Sequence, residues 1–146
     1  MSPTADGLAA LLDTVPARLA EFSDAEASAR PANGHWSKKE ILGHLIDSAG
    51  NNHQRFVRAQ LAPHVDLPGY QQEGWVAAQQ YAAESWPDLV NLWLLFNRHL
   101  VHIMRAVPDE CLSRTISIGG KQPVTLGFVI DDYLRHLQHH LDQILP

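Results

Sequence analysis

Near the C-terminal end of the chain, His136 and His140 stand four residues apart in the segment Arg135-His-Leu-Gln-His-His-Leu. On an α-helix that spacing puts both imidazoles on one face, about 40° apart around the axis. Two neutral imidazoles so placed make half of a metal site and need at least one further ligand. Taken alone, the pair is equally well explained as a packed core histidine, His140, with a half-exposed neighbour. Stepping ~100° per residue sets His140 between Val129 and Tyr133, within the apolar stripe of Leu126, Ile130, Leu137 and Ile144, with His136 at its edge. His139 falls outside that stripe, toward Asp132 and Arg135.

A third ligand has to come from elsewhere, and the chain holds nine histidines. His44 lies on the flank of a stripe formed by Ile41, Leu45, Ala49 and Phe56, and the same flank carries Ser48, Asn51 and Arg55. Such a polar strip beside an apolar face suits either a cavity wall between helices or a solvated helix face. His53 points elsewhere and Asp47 further round toward solvent. His99 sits at the rim of another apolar stripe, His102 points away from it, and His35 and His64 fall in expected loops. His44 is therefore the best third ligand.

Three neutral histidines would leave a cation's charge uncompensated and at least one coordination position open, whereas structural zinc is closed by four protein ligands. An open zinc lowers the pKa of bound water to ~7 or stabilises a bound thiolate. A hydrolase would add a general base, for which Asp47 and Glu73 are candidates if they point inward. A di-iron bundle site would use Glu-x-x-His pairs, but Glu40 and His44 are four apart and the last helix has no glutamate. The single cysteine, Cys111, excludes an internal disulfide, a cysteine-built metal site and a Cys-x-x-Cys-His haem attachment. No phosphate-binding glycine loop or nucleophile elbow is present.

Four helical stretches would position these residues. The first runs from about Thr4 to Phe22, with Pro16 expected to kink or divide it. A loop from Ser23 to Trp36 follows. Ser37 and Glu40 then form a capping-box pattern for a second helix from Lys38 to about Leu61. A turn-rich connection spans Pro63 to Gly74, with a short helix from Trp75 to Glu84. The third long helix covers Pro87 to Val107. Thr115 to Val124 alternates and turns on Gly119-Gly120, which predicts a β-hairpin. Thr125 can cap a fourth helix that ends near Leu145. The expected fold is all-α, a four-helix bundle with a short β-hairpin between the third and fourth long helices.

With 146 residues, the chain suits one domain over residues 1–146. Its 45% hydrophobic and 18% charged residues mark a globular chain. A net charge of −5 without Lys/Arg stripes argues against nucleic-acid binding. No apolar run is of membrane-spanning length and no signal-peptide pattern begins the chain, so a cytoplasmic protein with no membrane partner is expected.

Trp36-Ser37-Lys-Lys-Glu40-Ile-Leu-Gly-His44-Leu-Ile-Asp47-Ser48, with Asp132-Tyr-Leu-Arg-His136-Leu-Gln-His139-His140-Leu-Asp-Gln143-Ile144 far downstream, resembles the DinB-like superfamily, including its YfiT-type metal-dependent hydrolases. Tyr70-Gln-Gln-Glu-Gly-Trp75 and Trp93-Leu-Leu-Phe-Asn97-Arg-His99-Leu are similar to that family as well. The resemblance implies a four-helix bundle with a metal on one histidine of the second helix and an HxxxH pair of the last, here His44, His136 and His140. It implies zinc, nickel or manganese at the site and a homodimer. It also implies a small-molecule substrate, with activities ranging from hydrolases to transferases and isomerases that use thiols such as bacillithiol or mycothiol. On this basis a thiol-dependent S-transferase acting on electrophiles is expected, with a metal-dependent hydrolase or a non-catalytic metal-binding protein as alternatives. Ser48, Arg55, Trp36, Tyr70 and Trp75 are expected to contact substrate or cofactor.

Overall fold

Each long helix forms where a capping residue precedes an apolar stripe. The computed structural model of the chain describes residues 2–146. Helix α1 (Pro3–Ala20) opens with the Ser2 side chain accepting from the Ala5 amide and with Pro3 in its first turn. It runs through Pro16 rather than breaking there. A proline in a helix interior costs about 3 kcal/mol. Burial of Leu12, Val15 and Leu19 on either side offsets it, at about 1.5–3 kcal/mol for each large aliphatic side chain.

The expected loop from Ser23 to Trp36 instead holds a short helix, α2 (Asp24–Ser28), fixed by a capping box between Ser23 and Glu26. Asp24 ties this helix to the bundle. Its Oδ2 accepts from the buried Lys39 ammonium at 3.0 Å, and its Oδ1 from the Trp86 amide at 2.9 Å. The bundle itself is a ring of four helices. α1 packs on α5 (Trp86–Ala106) and α6 (Leu126–Ile144), and α3 (Lys38–Arg58) packs on the same two from the other side. Leu8, Leu42, Leu45, Trp93, Leu100 and Leu126 fill the space between them. None of the described helices is long and apolar enough to cross a membrane.

The sheet is larger than the expected hairpin. β2 (Thr115–Ile118) and β3 (Val124–Thr125) pair antiparallel across a turn with positive φ at Gly119 and Gly120. β1 (His64–Leu67), lying in the expected turn-rich connection, adds a parallel strand with His64 opposite Thr115 and Leu67 opposite Ile118. His64 is thus a strand residue, bonded to the Thr115 hydroxyl at 2.6 Å. The short helix following β1 lies earlier than expected. It is α4 (Gln72–Gln79), and it ends on the left-handed Gln80.

That left-handed turn sends Tyr81 into the bundle against α3, where only a glycine fits beneath it. A Cβ at Gly43 would stand 2.2 Å from the Tyr81 ring. The Tyr81 hydroxyl donates to Asp47 Oδ1 at 2.6 Å, so the ring cannot swing away without breaking a buried hydrogen bond. Gly43→Ala should lower stability by about 1–3 kcal/mol through overpacking. Gly50→Ala, on the same helix with open space around it, should be neutral or stabilising by up to about 1 kcal/mol. Thermal denaturation of both variants checks this, and equal melting temperatures would contradict the close approach.

Candidate metal centre

The position of His44 is set at the start of α3. Ser37 Oγ accepts from the Glu40 amide at 3.2 Å while Glu40 Oε1 accepts from the Ser37 amide at 3.1 Å. Arg30 grips the same carboxylate bidentately, Nε to Oε1 at 3.0 Å and Nη2 to Oε2 at 2.7 Å. Hydrogen bonding to Arg30 holds the Glu40 carboxyl below its usual range despite burial. The first turn is thereby fixed, and His44 emerges one turn later, fully buried.

Helix α6 is fixed from two sides. Thr125 Oγ1 accepts from the Phe128 amide at 3.1 Å, and the buried Tyr133 hydroxyl donates to Asn97 Oδ1 of α5 at 2.6 Å. Asn97 is held in turn by donating to the Trp93 carbonyl at 2.9 Å. With the rotation of α6 so set, His136 and His140 face His44 across the α3–α6 contact.

The three rings converge through one kind of atom. His136 Nε2 lies 3.2 Å from His44 Nε2 and 3.1 Å from His140 Nε2. His140 Nδ1 stands 2.9 Å from Gln143 Oε1, an acceptor, which places the ring proton on Nδ1 and a lone pair on Nε2. A single nitrogen at His136 cannot serve both neighbours well as donor or acceptor. A cation among the three resolves that conflict. For metal–nitrogen bonds of about 2.0–2.1 Å at tetrahedral angles, ligand nitrogens stand about 3.3 Å apart, close to the separations seen. The three residues form one cluster of possible metal ligands, and no cysteine, carboxylate or further histidine joins it among the described residues.

Burial lowers the pKa of His44 to about 4, and the neighbouring His136 and His140 add to the effect. His136 is lowered to about 4 by burial and by His140, against the opposing pull of Asp132. Both therefore present neutral nitrogen at pH 7. The partners behind the ligands are unequal. His140 has Gln143, whereas His44 Nδ1 is buried without an acceptor, so packing against Trp36, 5.2 Å between centroids, orients that ring instead.

A family model of the DinB superfamily matches residues 8–144. The chain belongs to the DinB superfamily. Among solved structures it is similar to YfiT from Bacillus subtilis, described as a probable metal-dependent hydrolase with an unusual four-helix bundle topology. The two share 21% identity with a TM-score of 0.73, over 97% of this chain and 84% of that one. At that identity the likeness speaks for the fold. No curated protein matches the chain.

Within this DinB-superfamily bundle, the remaining expected site residues separate into distinct places. His140 opens on a 580 Å³ cavity that Trp36, Ile41, His35 and Glu73 also line. His136 opens on a second cavity of 420 Å³ that includes Ser48, Arg55 and Tyr70. Trp75 lines neither. It packs on Tyr70 at 5.2 Å between centroids and borders a shallow outer groove with Asn51. Asp47, expected toward solvent, is buried. It accepts from Tyr81 and from Gln79 Nε2, and burial raises its pKa against those two hydrogen bonds. Its side chain borders neither cavity, because the Tyr81 turn, unforeseen in the sequence, covers that flank of α3. His53, His99 and His102 form a separate group on another face. Gln143, Lys121 and Asp132 border the cavities without having been singled out. Gln143 was accessible from its spacing three residues after His140. Lys121 was not, since it arrives from the β2–β3 turn.

Two measurements probe the centre. Zinc should raise the melting temperature of the wild-type chain and leave that of His136→Ala unchanged. In the metal-free protein, His44 and His136 protonate near pH 4 when folded but near 6.5 when unfolded. Between those values the unfolded state binds more protons, so stability is fully present above pH 6.5 and falls as pH drops toward 4. The decline between pH 6.5 and 5 should flatten in a His44→Gln/His136→Gln double variant. An equally steep decline there would contradict the assignment.

Proposed function

We propose that the protein is a metal-dependent transferase that joins a low-molecular-weight thiol to a small electrophile. The observation that carries this reading is the pair of cavities, which share no lining residue yet open on the same histidine centre through His140 and His136. Two chambers meeting at one centre suit a reaction between two organic molecules better than attack by water on one. Zinc, with nickel as an alternative, suits three imidazole donors, whereas manganese, the third candidate, prefers oxygen ligands. Such an ion would supply Lewis acidity that brings a ligated thiol toward its deprotonated form near neutral pH.

The chain's own residues do the positioning. His44, His136 and His140 would hold the centre through their ring nitrogens, positioned by the α3 capping box and by the Tyr133–Asn97 bond. Trp36 and Ile41 give the larger cavity an apolar wall for the electrophile. In the transfer, sulfur forms a bond to the electrophilic carbon, the leaving group departs with its bonding pair, and the thiol proton passes to solvent. No buried carboxylate is needed for this, and Asp47 is already engaged by Tyr81 and Gln79.

A second reading rests on Glu73, which lines the cavity beside His140 and could act as general base for a hydrolase. Incubating metal-loaded protein with monochlorobimane and a panel of thiols separates the two. Conjugation should be accelerated by a subset of thiols, and the acceleration should disappear on chelation and in His136→Ala. Acceleration indifferent to both thiol and metal would sink the transferase reading. Thiol-independent ester hydrolysis that is lost in Glu73→Gln would establish the second.

A further inference from the structure

The cavity beside His136 has an unusual charge pattern. Arg55 is half-buried in its wall, and the five ion pairs among the described residues leave it out. Among the described residues its one side-chain hydrogen bond runs from Nη1 to Asn52 Oδ1 at 3.4 Å. A guanidinium carries five N–H donors, so most of its donors are free for a ligand. Burial lowers its pKa, with Tyr70 and Asp132 opposing, yet a guanidinium stays charged at any physiological pH. Asp132 attracts this partly desolvated cation without forming an ion pair with it, so an incoming anion would relieve it further. Lys121 adds a second positive charge to the same lining. Asp132 is the one carboxylate there, and Arg135 holds it at 3.1 Å.

We infer that this cavity is a carboxylate-binding subsite, in which Arg55, with Lys121 and Tyr70, takes the carboxylate of a small-molecule reactant whose other end lies at the three histidines. The ion pair of Asp132 with Arg135 is exposed, and Asp132 still acts on Arg55. Arg55 and Lys121 against Asp132 therefore leave the lining with about one net positive charge, which matches a singly charged carboxylate better than a doubly charged phosphate. The planar fork of arginine suits two parallel hydrogen bonds to such a group. The bond to Asn52 shows the guanidinium folded back along α3 toward His44. His44 and Asn52 are eight residues apart, about 12 Å along the helix axis, and the two side chains fill part of that gap. His136 and Arg55 line one continuous cavity, so an extended molecule of about that length can touch both. The nature of the group at the histidine end rests on the thiol reading above, whereas the carboxylate end does not.

Calorimetric titration of the full chain with hexanoate and with 1-hexanol, metal-free and zinc-loaded, tests the subsite. Hexanoate should bind at least about tenfold more tightly than hexanol in both states, as expected for a charge-assisted hydrogen bond. Arg55→Gln should abolish the preference, Arg55→Lys should keep part of it, and Tyr70→Phe should weaken it. Rising sodium chloride should weaken hexanoate and spare hexanol, a readout that needs no variant. Equal affinities in the wild type, or a preference that survives in folded Arg55→Gln, would overturn the inference. Tighter binding of hexyl phosphate than of hexanoate would overturn the choice of carboxylate. A third ligand, 6-mercaptohexanoate, separates this inference from the transferase reading. Its gain over hexanoate in zinc-loaded protein reports the thiol. Absence of that gain removes the thiol reading while the carboxylate preference stands.

Discussion

His136 Nε2, held 3.2 Å from His44 Nε2 and 3.1 Å from His140 Nε2, is unfavourably placed in a protein interior unless something positive lies among the three rings. A neutral His136 Nε2 cannot satisfy both neighbours at once, and burial denies His44 the water that would otherwise separate it from the other two rings. Protonation is the simplest escape, but it would gather like charges in a poorly solvated space, which is why the pKa values of His44 and His136 fall. The fold must therefore hold the rings together against their mutual preference. Much of the polar structure around α3 and α6 serves that end.

The constraint falls on helix rotation more than on helix position. A turn of α6 by one residue, ~100°, would exchange His140 for His139 at the centre. The buried Tyr133–Asn97 bond forbids it, because Tyr133 is one turn before His136 and its hydroxyl has no other partner among the described residues. On α3 the same role falls to the first turn, where Ser37, Glu40 and Arg30 form a closed set of hydrogen bonds. Further along, Gly43 admits Tyr81, whose bond to Asp47 clamps the flank beside His44. Apart from the exposed Arg30, the side chains that make these contacts are buried.

Much of this was legible from local spacing. The capping pattern at Ser37 and Glu40, the HxxxH pair on the apolar stripe of α6 and the exclusion of His139 all follow from helix geometry applied to a dozen residues. The elements that were misjudged depend on partners distant in sequence. β1 reads as a turn-rich connection because its strand character comes from pairing with Thr115–Ile118 about fifty residues on. Pro16 reads as a kink or a division, and the helix is not divided there, because burial of Val15 and Leu19 on either side offsets the cost of the proline. Asp47 was expected at the surface because nothing near it in sequence announces that Tyr81 will cover it. Trp75 carries aromatic bulk into the right neighbourhood, but α4 begins three residues earlier than its pattern suggests, and the ring packs edge-on against Tyr70 outside the two cavities.

The charge balance of the site runs against that of the whole chain. The protein carries a net charge of −5, yet the region from the three histidines to the β2–β3 turn gathers neutral imidazoles, Arg55 and Lys121 around one engaged carboxylate. A centre built from neutral donors keeps the full charge of any cation it holds, so counter-charge has to come from the reactants. An acidic surface around a positive interior also repels anions at long range and rewards them only on arrival. Recognition then depends on contacts inside the cavity rather than on steering. On the carboxylate-subsite proposal, such a site would favour an anionic reactant long enough to reach both Arg55 and the histidines, because a shorter one would meet only part of the positive charge.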